Sequence, residues 1–290
     1  MGSSDEGLHV VPANRVGHGE QLASTNALAD SIASSIRTRP LRAVTFKGTE
    51  TQYVEFDRDF SGSTATAIAG RSQAVTEIPV ASDRQSAVRL LACIDAGSVS
   101  VTDESWGADV VAILRSQSRL QALDFWMRNP DYLANELLNE FEKTKDKALI
   151  QLVQQIFDSR EPDLRRLPMI RYHFGAFEPL DNPLAILRAS DLIRVQREGA
   201  PGQVREHLYL LTRRGRASMN ELAAAAPEIA WYKDRAAVVA TLAGEVGGKA
   251  LKDRQYLQQE YASTELKHLI APVTDRVRDR LELIQKGLAA

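Results

Sequence analysis

Pro179-Leu180-Asp181-Asn182-Pro183-Leu184-Ala185-Ile186-Leu187-Arg188-Ala189-Ser190-Asp191-Leu192-Ile193-Arg194-Val195, continued after a loop by His207-Leu208-Tyr209-Leu210-Leu211-Thr212-Arg213-Arg214-Gly215, is the stretch that decides the fold. Asn182-Pro183 and Ser190-Asp191 bracket a short helix over residues 184–189, punctuated at both ends. Residues 192–197 and 205–211 are β-prone, and Gly199, Pro201 and Gly202 between them suit a hairpin loop and oppose a helix. Thr212 then caps a helix over 213–225, and Gly215 lets its first turn pack closely.

A short helix, a hairpin with a polar loop and a capped helix are the signature of a winged helix. The run Asp191-Leu192-Ile193-Arg194-Val195, the wing loop, and Tyr209-Leu210-Leu211-Thr212 with Gly215 resemble bacterial winged helix-turn-helix domains of the MarR and PadR type. A second likeness lies in Leu123-Asp124-Phe125-Trp126-Met127-Arg128-Asn129-Pro130-Asp131-Tyr132-Leu133 and Arg171-Tyr172-His173-Phe174-Gly175-Ala176-Phe177-Glu178-Pro179. With the wing, these are similar to the winged-helix middle components of bacterial three-component systems built around SMC-like ABC ATPases. The resemblance implies a DNA-binding or DNA-associated bacterial factor: a regulator, or an accessory subunit of a DNA-processing or antiviral defence complex. The first hundred residues fall outside it.

Residues 160–221 carry eleven arginines and no lysine against eight carboxylates, a local excess of three positive charges. Arginine suits phosphate and guanine contacts because its guanidinium is a planar fork of donors. On the helix of the stretch, Asn182 and Arg188 have side chains able to read base edges. Arg194, Arg197, Arg205, Arg213, Arg214 and Arg216 are the candidates for duplex phosphates. The loop 199–204 holds no basic residue. Two readings therefore stand side by side: contact with double-stranded DNA, or a solvated face paired with Glu198 and Glu206 on a module that docks a partner protein.

Working outward, residues 1–22 read as a leader without periodicity, and Ser24 caps a short helix bearing Leu28, Ile32 and Ile36. Residues 43–46 and 52–56 are β-rich, and 61–76 read as a loop. Ser82 opens a helix over 84–95 ended by Gly97, followed by a short strand over 98–102. From 107 to 157 the texture is helical, with Asp131 as the cap of a helix over 132–143 and a further helix over 146–157. Pro227 starts a helix over 228–242; long helices follow over 251–270 and 272–288. In the last, Val273, Val277, Leu281, Ile284 and Leu288 form one apolar seam. That seam packs on the chain's own helices or forms a homo-oligomer or partner interface.

The expected fold is mainly α with a small α+β N-terminal element, a winged-helix module and a C-terminal helical segment. Its divisions are a leader and short helix over 1–40, the α+β element over 41–104, a helical region with the winged helix over 105–226, and an assembly segment over 227–290. A formal net charge of −2 provides no global basic field, so any nucleic-acid binding is local. Cys93, the single cysteine, sits in an apolar run as a buried thiol and fits a reducing cytoplasm. No apolar run reaches the roughly 18 residues needed to cross a bilayer, so no membrane association is expected.

Catalytic chemistry is not expected. The Gly244-to-Lys249 cluster lacks the spacing of a phosphate-binding loop and reads as a helix break. Glu55, Asp57 and Asp59 alternate along a strand, a spacing for Mg²⁺, yet no Lys or His completes a nuclease-like set. His173, His207 and His268 are scattered without ligand spacing. No cofactor and no metal are expected.

Overall fold

Ser82 and Gln85 satisfy each other's backbone: the Ser82 hydroxyl accepts from Gln85 N–H, and Gln85 Oε1 accepts from Ser82 N–H at 2.9 Å. This reciprocal cap starts helix α1 (Asp83–Gly97). The computed structural model describes residues 81–172, 175–200 and 203–289. The expected leader, the helix after Ser24, the strands at 43–46 and 52–56 and the Glu55/Asp57/Asp59 set lie outside the described residues.

After α1 come β1 (Val99–Ser100) and β2 (Val110–Arg115). The second corrects the helical reading of 107–157. Val110, Val111 and Ile113 are β-branched, and both faces of the strand are covered, so no polar residue alternates along it to betray its period. Helices follow: α2 (Gln117–Arg128), α3 (Pro130–Thr144), α4 (Lys147–Asp158) and the single turn α5 (Glu161–Leu164). Asp146 caps α4 by accepting from Ala148 N–H. Asp131 does not cap α3. It lies inside the first turn, fully buried, and accepts from Tyr132 N–H and, at 2.7 Å, from Val273 N–H.

A small hairpin, β3 (Ile170–Tyr172) and β4 (Gly175–Phe177), leads into α6 (Asp181–Ala189), and a long hairpin follows, β5 (Ile193–Ala200) and β6 (Gln203–Thr212). Its strands run further than the sequence implied, leaving only 201–202 between them. Gly199, at φ +144°, takes the register shift of this hairpin. The larger sheet is antiparallel with order β1-β2-β6-β5, so β2 pairs with a strand that begins almost ninety residues later.

The remaining helices are α7 (Arg213–Ala225), α8 (Pro227–Ala243), α9 (Gly248–Tyr256), α10 (Gln259–Ser263) and α11 (Thr274–Ala289). The expected continuous helix over 251–270 is instead α9, α10 and an extended run. Lys267 and His268 spend their backbone groups on Arg171, and Ile270 N–H donates to Met169 C=O at 2.9 Å. Pairing with β3 wins over the helical pattern.

The described residues are thus mainly helical with a small antiparallel sheet. One cluster of buried side chains runs from Ala87 to Leu281, so α1, α8 and α11 share a core with the helices between them. A second, smaller cluster (Val110, Ile113, Leu208, Leu210) lies on the other face of the sheet under Trp106 and Val101. Charges are built into the main core. Arg89 Nε meets Asp124 Oδ1 at 2.5 Å with both side chains out of solvent, and Glu161 accepts from Arg235 and Trp231. Burial and the charge of Asp124 push the Cys93 thiol well up, so it is inert packing. Among the described residues, no helix is long and apolar enough to cross a membrane.

Candidate nucleic-acid interface

Helix α6 turns Pro183 and Leu187 inward, which leaves Asn182, Ala185, Arg188 and Ala189 on the exposed side. Asp191, at φ 53°, makes the sharp turn that brings β5 back beside the helix. Thr212 fastens the far end of the ribbon. Its hydroxyl donates to the Asp191 and Leu192 carbonyls at 2.8 and 3.0 Å and accepts from Gly215 N–H at 2.9 Å. One side chain therefore joins the start of β5, the end of β6 and the cap of α7. An open cleft of about 480 Å³ remains between α6 and β5, lined by Ala185, Arg188, Ala189, Ile193 and Val195 among others.

Residues directly opposite one another in the ribbon share a face. Arg194 and Leu210, Gln196 and Leu208, and Glu198 and Glu206 lie on the face of the smaller cluster; Val195 with Tyr209, and Arg197 with His207, lie on the other. Two carboxylates directly opposite are unfavourable on their own. Arg115 of β2 relieves them, its Nη1 lying 3.1 Å from Glu206 and 3.5 Å from Glu198. The expectation that the ribbon's own arginines pair with these glutamates is corrected: the partner is Arg115, which pairs across from Leu208.

The sequence-derived cations divide into two groups. Arg194 makes a two-point contact with Asp109, at 2.8 and 2.5 Å, and approaches Asp191 at 3.6 Å. Its hydrogen bond holds the Asp109 carboxyl below the usual carboxylate range, and the same bond raises the Arg194 pKa. Arg216 pairs with Asp95 at 3.1 Å, and Arg213 reaches the Ala108 carbonyl at 3.4 Å. Arg188, Arg197, Arg205 and Arg214 form no ion pair or hydrogen bond among the described residues; the first three are exposed and Arg214 is half-buried. The Asn182 amide donates to Asp83 at 3.3 Å on the surface.

The sequence reading found the ribbon and its cations. It missed Asp95 and Asp109, which neutralise Arg216 and Arg194, and Arg115, which neutralises Glu198 and Glu206, all from positions about 80 to 120 residues away. Only the topology brings them together.

The apolar seam on α11 is placed as well. Val273, Val277 and Leu281 are buried in the chain's own core, where α11 crosses α3 and α4. Ile284 is half-buried against that core, and Leu288 is exposed together with Leu283. Among the described residues no group of three or more His, Cys, Asp or Glu side chains is placed to hold a metal ion. No protein-family model, no curated protein and no solved structure matches this chain.

Proposed function

We propose that the chain is a winged-helix DNA-binding factor that lays α6 and the β5–β6 ribbon against double-stranded DNA. The observation that carries the reading is the separation of the cations. Among the described residues, Arg188 on α6, Arg197 and Arg205 on the ribbon, and Arg214 at the start of α7 form no ion pair or hydrogen bond, while Arg194 and Arg216 are held in ion pairs. Arg194 and Arg216 on this reading hold the module's shape, and the guanidiniums of Arg197, Arg205 and Arg214 meet phosphates. Asn182 and Arg188 face outward from the helix, where base edges are reached.

An accessory subunit of an SMC-like ABC ATPase complex is the assembly this reading favours. The two stretches that carry that resemblance touch each other: Arg128 Nη1 lies 2.8 Å from Glu178 Oε2. A second reading, protein docking without DNA, is favoured by one feature. The ribbon carries Glu198 and Glu206 where a phosphate grip calls for cations.

Duplex binding followed by fluorescence anisotropy across a salt series separates the two. With three phosphate contacts, replacing Arg197, Arg205 and Arg214 by alanine makes the slope of log K against log salt shallower by about 3. Absence of duplex binding by the wild-type chain at low salt sinks the DNA reading.

A further inference from the structure

Strand β5 has an open edge. It closes the larger sheet on one side and, among the described residues, pairs only with β6. Thr212 N–H donates to the Leu192 carbonyl, and Ser116 N–H to the His207 carbonyl. Bonded residues alternate in antiparallel pairing, so Leu208 and Leu210 turn their backbone groups to β5, while His207, Tyr209 and Leu211 turn theirs to β2. On β5, Arg194 and Gln196 are therefore satisfied by β6, and the N–H and C=O groups of Val195 and Arg197 point out of the sheet. An edge of this kind is a template for one more strand.

Helix α6 stands beside that edge. The cleft of about 480 Å³ between them has Ala185 and Ala189 along the helix and Ile193 and Val195 along the strand. The short side chains of the helix leave width for an added strand. Arg188 lines the same cleft, and Arg197 lies two residues beyond Val195 on the same face of the ribbon. Neither forms an ion pair or hydrogen bond among the described residues. The neighbouring carboxylates are already met: Asp191 lies 3.6 Å from Arg194, and Glu198 lies 3.5 Å from Arg115. The groove thus suits an extended segment that brings its own backbone groups and its own carboxylates.

The sequence contains one. Gln52-Tyr53-Val54-Glu55-Phe56-Asp57-Arg58-Asp59 lies outside the described residues; it is β-prone, and Tyr53, Glu55, Asp57 and Asp59 recur at the strand period of two. The described chain begins beside the groove, where Asp83 at the start of α1 accepts from the Asn182 amide of α6 at 3.3 Å. Residues 60–80 reach up to roughly 70 Å when extended, far more than the groove demands. We propose that residues 52–59 add to the outer edge of β5, with Tyr53 toward Ala185 and Ala189 and the carboxylates toward Arg188 and Arg197. That covers one arginine of the helix and one of the ribbon, so the segment is a built-in competitor of double-stranded DNA. The docking stands apart from the duplex reading; the competition rests on it.

The test is hydrogen exchange of the full chain, read residue by residue by NMR. Arg194 and Gln196 N–H are bonded to β6, so slow exchange there reports an intact sheet. Val195 and Arg197 N–H should be slowed about tenfold in wild type, as for a segment docked about nine-tenths of the time. Val54→Pro/Asp57→Pro removes one donor from each side of the added strand and should release them, with Arg194 and Gln196 still slow. Glu55→Lys/Asp57→Lys leaves the backbone able to pair and should release them too; protection that survives it overturns the pairing with Arg188 and Arg197. Fast exchange of Val195 and Arg197 in wild type overturns the proposal and leaves the duplex reading standing. Slow exchange that survives the prolines also overturns it and gives the edge to another occupant, a second copy included. In fluorescence anisotropy the proline variant should bind duplex about tenfold tighter than wild type. Equal duplex affinity with released amides upholds the docking and overturns the competition. Released amides with no duplex binding by either protein uphold the docking and overturn the duplex reading.

Discussion

Arg89 shows what a single side chain does in this fold. It crosses from α1 to Asp124 on α2 with both groups shut away from water; among the described residues its Nη1 and Asp124 Oδ2 have no hydrogen-bond partner, and Arg128 Nη1 lies 3.8 Å from that oxygen. Burial alone would lower the Arg89 pKa, but the charge and hydrogen bond of Asp124 outweigh it and raise it. The pair is worth keeping only as a pair. Replacing Arg89 with Met leaves the buried Asp124 carboxylate with only the more distant Arg128 guanidinium, 3.8 Å away, for an expected loss of about 3 kcal/mol in urea unfolding. Arg89→Met/Asp124→Ala should lose less than the sum of the two single losses in a double-mutant cycle. Additive losses would show that the two charges stand independently. Nothing near Arg89 in sequence reveals this partner, 35 residues away.

Among the elements, those with local punctuation were legible and those settled by distant pairing were not. The caps at Ser82 and Thr212 were readable because each places a hydroxyl a few residues from the N–H it satisfies. Strand β2 was hidden by burial on both faces, and the break of the expected 251–270 helix by hydrogen bonds to β3. In the candidate site, α6 and the ribbon were legible from their turn residues. The state of each arginine was not, since Asp95, Asp109 and Arg115 arrive from other elements. Gly215 is the element-scale test. An added Cβ there would lie 2.1 Å from the Leu192 carbonyl oxygen, a backbone atom with little room to move. Gly215→Ala should therefore force α7 away from the start of β5, costing about 1–3 kcal/mol and lowering the melting temperature by several degrees. An unshifted melt would mean that the approach relaxes freely.

Across the whole molecule, the C-terminal helix is a structural member of the core. Asp131 accepts from Val273 N–H, Tyr132 donates to the Ala271 carbonyl at 2.9 Å, and Arg280 reaches the Asn135 and Asn139 side chains at 2.7 and 2.8 Å. A chain ending before Pro272 would leave Asp131 buried with fewer partners and expose the apolar sides of α3 and α4. We expect it to show a broadened, less cooperative melt and to bind an apolar dye, not simply to form a smaller oligomer. A sharp melt with a reduced mass in light scattering would instead return the seam on α11 to an assembly role.

The pairing of β2 with β6 also governs how the chain is made. Val110 lies opposite Thr212 and Arg115 opposite Leu208, so about a hundred residues must be synthesised after β2 before its hydrogen bonds can be satisfied. At about 5–20 residues per second, that leaves the strand open for roughly 5–20 s on each ribosome. During that interval Val110-Val111-Ala112-Ile113-Leu114 is an uncharged, β-prone segment in search of an edge, the kind of segment that draws chaperones or a neighbouring nascent chain. Production of this protein should thus be more sensitive to translation speed and to chaperone supply than its finished core suggests.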